Sequence, residues 1–338
     1  MMSRASFLKS LNPFRQYLKS GDPELENAIE QGYAHNPWFF PDFTRHAINA
    51  IADEFLDETE CERWLDPYPQ SKQPGKNIAI IMAGNVPIVG FHDLFCVLAS
   101  GHHALIKLSD KDSDLPKFIV KKWIEYYPEL SLRITFTERL EGLDAVIATG
   151  SNNSSRYFEY YFKAYPHILR RNRNGIAIIT GEETADELKQ LGKDIFLYYG
   201  LGCRNVSKIY VPEGYDFTGM EMAFEEWNFL ADHNKYRNNL DYNYAIYIIN
   251  NVPHINLGHL ILKEDDAIAS RIGCVHYSYY KSEGELIENL ELKRNEIQCL
   301  VKKGTLESWE CVSPGNTQYP ALGQYADGVD TMLFLTSL

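Results

Sequence analysis

From residue 77 onward, short apolar runs rich in β-branched residues alternate with segments whose apolar positions recur every three or four residues. The runs 77–82, 104–108, 132–136 and 144–149 read as strands. Residues 87–100, 115–127 and 152–164 read as helices, the first closed by Gly101. The alternation resumes with a strand at 175–180, a helix at 184–196, a strand at 206–211 and a helical stretch at 217–232. Strands at 259–263, 273–280 and 296–301, a helix at 283–290 and a last strand at 331–335 complete the pattern. Strands separated by helices of this length imply βαβ crossovers and a parallel sheet.

Residues 1–76 carry helical spacing instead. Phe7, Leu8, Leu11, Phe14, Tyr17 and Leu18 form one stripe, and Ile48, Ile51, Ala52, Phe55 and Leu56 another. The first stripe predicts a helix packed on the chain's own core, with an interfacial membrane helix as the alternative. Basic residues without a continuous apolar core do not read as a secretory signal. A Pro-rich connector runs from 66 to 75.

At 338 residues the chain holds about two domains of roughly 150 residues each. A net charge of −13 argues against a broad nucleic-acid-binding face, which must be basic. No apolar run reaches the roughly 20 residues of a membrane span. The six cysteines contain no C-x-x-C pair, so zinc-ribbon and thioredoxin readings lack support, and the usage fits a reducing, cytoplasmic compartment. His102-His103 cannot place two rings on one helical face, so it reads as a loop rather than a metal site. No metal is expected.

Four places could carry chemistry. Ala83-Gly84-Asn85-Val86-Pro87 joins a strand to a helix at the carboxyl edge of the expected sheet. Asn85 there is a helix N-cap, or its amide faces the cleft as an oxyanion donor. Thr149-Gly150-Ser151 either caps the next helix or offers its N–H groups to a phosphate. Tyr199-Gly200-Leu201-Gly202-Cys203-Arg204-Asn205 precedes a strand, so it is not the G-x-G-x-x-G dinucleotide loop, which opens a helix and ends in a third glycine. Its glycines expose Cys203, and Arg204 favours the thiolate; the alternative is a buried, inert cysteine. Arg170, Arg171 and Arg173 either hold a phosphate or form a solvated loop.

In order, these pieces are a strand ending in G-N-x-P, a helix ending in Gly, a strand carrying Lys107, a strand ending in Thr-Gly-Ser, and G-x-x-C before a strand. The series resembles the aldehyde dehydrogenase superfamily, and within it the fatty-acyl-CoA reductases of bioluminescent bacteria. The similarity is strongest over 77–213 and weaker over 256–338, where Gly328-Val329-Asp330-Thr331-Met332 is similar to the relatives' closing segment. Residues 1–76 carry none of it.

The resemblance implies an α/β fold with an open parallel Rossmann-type sheet and a smaller α/β catalytic domain. The domains would be 1–175 (N-terminal helices and dinucleotide binding), 176–318 (the thiol domain) and 319–338 (a closing strand serving a homodimer). It implies that Cys203 is the nucleophile and that Asn85 shares the oxyanion with the Cys203 N–H. It places Lys107 and Ser109 at the adenosine ribose, and Gly150 and Ser151 at the pyrophosphate. Aldehyde oxidisers carry a general-base Glu where Leu169-Arg170-Arg171-Asn172-Arg173-Asn174 lies, and this stretch has no carboxylate. The relatives' second ribose-binding Glu also has no counterpart at 269–273. The activity implied is reduction of an acyl-CoA thioester to an aldehyde. The alternatives are a CoA-acylating dehydrogenase and a non-catalytic complex subunit. The nearest relatives point to NADPH, while Asp110 after Ser109 points to NADH.

Overall fold

In the computed structural model, residues 4–70, 74–150 and 152–338 are described; Ser151 and the connector positions Ser71 to Gln73 lie outside them. The chain forms two compact units, Met1–Asn172 with Tyr319–Leu338, and Arg173–Gln318.

The first unit is built on a fully parallel sheet of five strands: β1 (Asn77–Ile81), β2 (His103–Lys107), β3 (Ile134–Phe136), β4 (Ala145–Thr149) and β5 (His167–Arg170). Their order is β3-β2-β1-β4-β5. β1 is buried at its three central residues and β4 at all but its last, as expected of apolar strands covered on both faces. Five helices precede the sheet: α1 (Arg4–Lys9), α2 (Leu11–Leu18), α3 (Pro23–His35), α4 (Pro41–Phe55) and α5 (Glu58–Leu65). All six residues of the first N-terminal stripe are buried, so it belongs to the core. Phe14 stacks on Trp123 with ring centroids 5.1 Å apart. Trp123 lies on α7 (Asp114–Tyr126), and the crossovers are completed by α6 (Phe91–Ala99) and α8 (Asn152–Phe162).

The second unit holds seven strands in the order β12-β11-β6-β7-β10-β9-β8. They are β6 (Asn174–Ile178), β7 (Val206–Pro212), β8 (Ile255–Asn256), β9 (Ile261–Glu264), β10 (Cys274–Tyr280), β11 (Ile297–Val301) and β12 (Cys311–Val312). Only the short β8–β9 pair is antiparallel among the described ladders. The unit's helices are α9 (Ala185–Phe196), α10 (Thr218–Phe224), α11 (Asn234–Ile249) and α12 (Glu283–Leu292). Thr184 and Glu187 start α9 with a reciprocal capping box.

Two expectations are corrected, and one helix is new. The segment 331–335 is not a closing strand but part of the helix α13 (Thr331–Thr336). Asp330 caps it by accepting from the Leu333 N–H, and Met332 and Leu335 are buried while Leu333 is exposed. A short apolar run fits either period, and the cap decides it. The helix expected from residue 87 begins only at Phe91, because Ile88 has φ +49 and cannot join a right-handed helix. The 16-residue helix α11 was not anticipated. Its buried face is Tyr236, Leu240, Asn243 and Tyr247, correctly spaced but half polar in appearance.

Candidate functional site

The carboxyl edge of the first unit's sheet collects most of the singled-out residues. From β1 the chain moves to β2 and β3 on one side, then returns to β4 on the other side of β1. The strand order therefore reverses between β1 and β4, where open α/β sheets bind ligands beyond their carboxyl ends. Ile81 is level with Lys107 on one side and with Ala148 on the other. Asn85, Ser109 and Gly150 follow in the loops after β1, β2 and β4. Ser151 lies outside the described residues.

Each side chain here has a definite setting. Lys107 Nζ donates to the Glu138 carbonyl at 3.1 Å and remains partly exposed. Gly84 packs so tightly on the next loop that a Cβ would come within 2.6 Å of Ser109 Oγ. Asp110 is exposed, and its carbonyl meets His35 Nε2 at 2.8 Å.

Asn85 is exposed in a bend, and Gly90, not Asn85, occupies the N-cap of α6. The helix-cap reading is thereby overturned. The cause is Asp112, whose Oδ2 accepts from the Ile88 N–H at 2.7 Å and holds 87–90 in a turn. Asp112 is almost fully buried and its Oδ1 has no hydrogen-bond partner. Burial pushes this carboxyl up to about 7, against the lowering effect of the Ile88 N–H. Nothing in the local pattern Ser109-Asp110-Lys111-Asp112 distinguishes Asp112 from its solvated neighbours.

Of the three arginines, Arg170 is corrected. Arg170 ends β5 and is 4% exposed, neither a solvated loop residue nor open to a phosphate. Its guanidinium pairs with Asp93 at 2.5 Å and also donates to Thr331 Oγ1 and the Ala326 carbonyl. Arg171 pairs with Glu159 at 2.6 Å. His102 is buried: its Nδ1 accepts from the Lys76 N–H and its Nε2 meets the Leu335 carbonyl, while His103 opens β2. Among the described residues no group of three His, Cys, Asp or Glu side chains is placed to hold a metal ion, and no helix is long and apolar enough to cross a membrane.

Cys203 belongs to the second unit, between α9 and β7. It is a thiol of intermediate exposure, not sealed in the core. Its loop begins with three consecutive left-handed residues, Tyr198 (φ +55), Tyr199 (φ +57) and Gly200 (φ +73). That conformation costs roughly 1–2 kcal/mol for each non-glycine residue, so the surroundings must hold it. Both tyrosines are 3% exposed, and the Tyr199 ring lies 4.5 Å from that of His233. The Asn205 N–H donates to the Gly202 carbonyl at 3.1 Å, closing a turn with Cys203 and Arg204 at its centre. The Cys299 thiol donates to the Arg204 carbonyl at 3.5 Å, and burial pushes it up to about 12. The other described cysteines whose thiols are perturbed are likewise pushed up by burial.

No family model matches the chain, and no curated protein matches it. Solved structures do. Aldehyde dehydrogenase 21 from Physcomitrella patens, in complex with succinate, superimposes with a TM-score of 0.70 at 10% identity, over 99% of this chain and 84% of that one. An NAD-dependent aldehyde dehydrogenase from Sinorhizobium meliloti gives 0.65 at 13% identity, over 88% and 69%. An indole-3-acetaldehyde dehydrogenase from P. syringae, bound to NAD+, gives 0.61 at 12% identity, over 85% and 69%. At such identities the likeness concerns architecture: the chain has an α/β fold with parallel sheets like that of the aldehyde dehydrogenases.

Proposed function

We propose that the protein is an oxidoreductase of the aldehyde dehydrogenase type that reduces an acyl-CoA thioester to an aldehyde through an acyl group carried on Cys203. The observation that carries this reading is an accessible cysteine in a strained, glycine-flanked loop, in a chain with this fold. The carboxyl edge of the first unit's sheet is the proposed place for a nicotinamide dinucleotide: Lys107 and Ser109 would hold the adenosine ribose and the Gly150 backbone the pyrophosphate. When bound, the reduced cofactor supplies the hydride. NADPH is the proposed form and NADH the alternative, since Asp110 suits a ribose 2′-hydroxyl.

The chain's own part is acyl transfer. The Cys203 thiolate attacks the thioester carbonyl carbon, a new C–S bond forms, and the bond to coenzyme A breaks as its sulfur leaves. Asn85 and the Cys203 N–H are the proposed donors to the tetrahedral oxyanion, worth on the order of 3 kcal/mol per donor. Covalent capture divides one difficult reduction into two easier steps. The same residues would serve CoA acylation in the oxidative direction.

The test is Cys203→Ala with a radiolabelled long-chain acyl-CoA. Wild type should take up label on the peptide containing Cys203 and release aldehyde on addition of NADPH. The alanine variant should fold, shown by an unchanged circular-dichroism melt, and do neither. Label uptake by the variant equal to wild type sinks the reading.

A further inference from the structure

We infer that Asn205 is the positioning residue for Cys203, an inference that rests on Cys203 being the reacting group. The carboxamide of Asn205 is 1% exposed and bonded on both sides. Its Oδ1 accepts from the Gly202 N–H at 2.8 Å. Its Nδ2 donates to the carbonyls of Asp194 at 3.0 Å and Leu197 at 2.9 Å, with Ile195 at 3.4 Å. These are carbonyls at the end of α9, where a helix leaves its last acceptors unsatisfied.

The position of these bonds matters more than their number. The strained residues 198–200 lie between the carbonyls on one side and Gly202 on the other. One side chain therefore staples the chain before the strain to the chain after it. Its backbone fixes the remaining freedom: the Asn205 N–H closes the turn onto Gly202, and the Asn205 carbonyl accepts from the Gly175 N–H of β6 at 2.9 Å. Cys203 is the second residue of that turn, so its sulfur and its N–H are aimed by a geometry that Asn205 defines from both ends.

The partners are anchored in turn. The Asp194 side chain accepts from the Gly315 N–H, the Thr317 N–H and Thr317 Oγ1 at 2.6 to 3.0 Å, so the end of α9 cannot slide. Asparagine is the residue this arrangement needs, because it must accept from one N–H and donate to carbonyls on the opposite side. A carboxylate would face those carbonyls with negative charge. Alanine would leave the Gly202 N–H and the carbonyls without these bonds and let residues 198–200 relax.

Two readouts test this in the full-length protein: the pH profile of Cys203 alkylation by iodoacetamide, followed by peptide mass spectrometry, and the kcat and KM for a long-chain acyl-CoA. Asn205→Ala should keep a cooperative melt, move the midpoint of the alkylation profile, and lower kcat about tenfold or more with KM within about threefold, as misplacement of a reacting group does. If Asn205→Ala does not fold, Asn205→Asp, which keeps the volume, carries the same measurements. An alkylation profile and kcat that both superimpose on wild type overturn the inference. That failure is distinct from failure of the proposed function, in which wild type itself takes up no acyl group on Cys203 although its thiol alkylates.

Discussion

Arg170 Nη2 lies 2.5 Å from Asp93 Oδ1, and neither side chain is more than a tenth exposed. The same guanidinium holds the Ala326 carbonyl and Thr331 Oγ1, so the pair ties β5 and α6 to the start of α13. Removing one partner strands the other charge in the interior. Asp93→Ala should cost about 3–5 kcal/mol in urea denaturation, and the double variant Asp93→Ala with Arg170→Met should recover much of it. A single-variant cost under about 1 kcal/mol would mean that the pair is solvated.

The buried carboxyl of Asp112 makes stability depend on pH. Its folded value, about 7, stands above the ordinary 3.8, so protons bind the folded state more tightly. The stabilisation from this group is fully present below about pH 4 and is lost as the pH rises to about 7. Asp112→Asn keeps an acceptor for the Ile88 N–H and cannot ionise. At pH 8 the variant should be more stable than wild type by about 1–3 kcal/mol, the difference shrinking toward pH 4. Denaturation curves at several pH values that stay parallel for the two proteins would contradict this.

The residues that could be read from sequence and those that could not differ in a physical way. β1 and β4 are apolar runs with no competing reading, and their burial follows directly from composition. Thr184 and Glu187 mark the start of α9 in the sequence itself. By contrast, α11 presents Tyr and Asn to the core, satisfied by distant partners: Asn243 donates to the Ile272 carbonyl and accepts from Arg271. The misreadings of the helix start at 87 and of Arg170 share this origin. Ile88 is turned aside by Asp112 from another loop, and Arg170 is neutralised by Asp93, 77 positions away. Asn205 was visible in the cysteine motif, but its contacts reach back across the strained tyrosines, which no spacing rule records.

Gly175 has no room for a side chain. A Cβ there would lie 2.6 Å from the Arg204 carbonyl oxygen and 2.9 Å from that of Asn205, both backbone atoms that cannot rotate away. Gly175→Ala should destabilise by about 1–3 kcal/mol through overpacking and change the alkylation rate of Cys203 in the displaced turn. Gly284 on α12 is the control, since a Cβ there meets nothing within 4 Å. Gly284→Ala should stabilise by about 0.5–1 kcal/mol, measured in the same urea series. Equal effects at the two positions would show that the close approach at Gly175 is not felt.

Asn85 separates a structural role from a chemical one. Were it the N-cap of α6, alanine there would cost about 0.5–2 kcal/mol of stability. The helix instead begins at Phe91 behind Gly90, and Asn85 is an exposed bend residue. Asn85→Ala should therefore leave the denaturation midpoint almost unchanged, as surface substitutions do, within about 0.5 kcal/mol. Under the proposed chemistry it removes one donor to an oxyanion, which slows turnover roughly 10²- to 10³-fold. The decisive measurement is the rate of label transfer from acyl-CoA to Cys203 beside the urea midpoint of the same sample. A slow transfer with an unmoved midpoint supports the donor role. A transfer rate equal to wild type removes Asn85 from the chemistry whatever happens to stability.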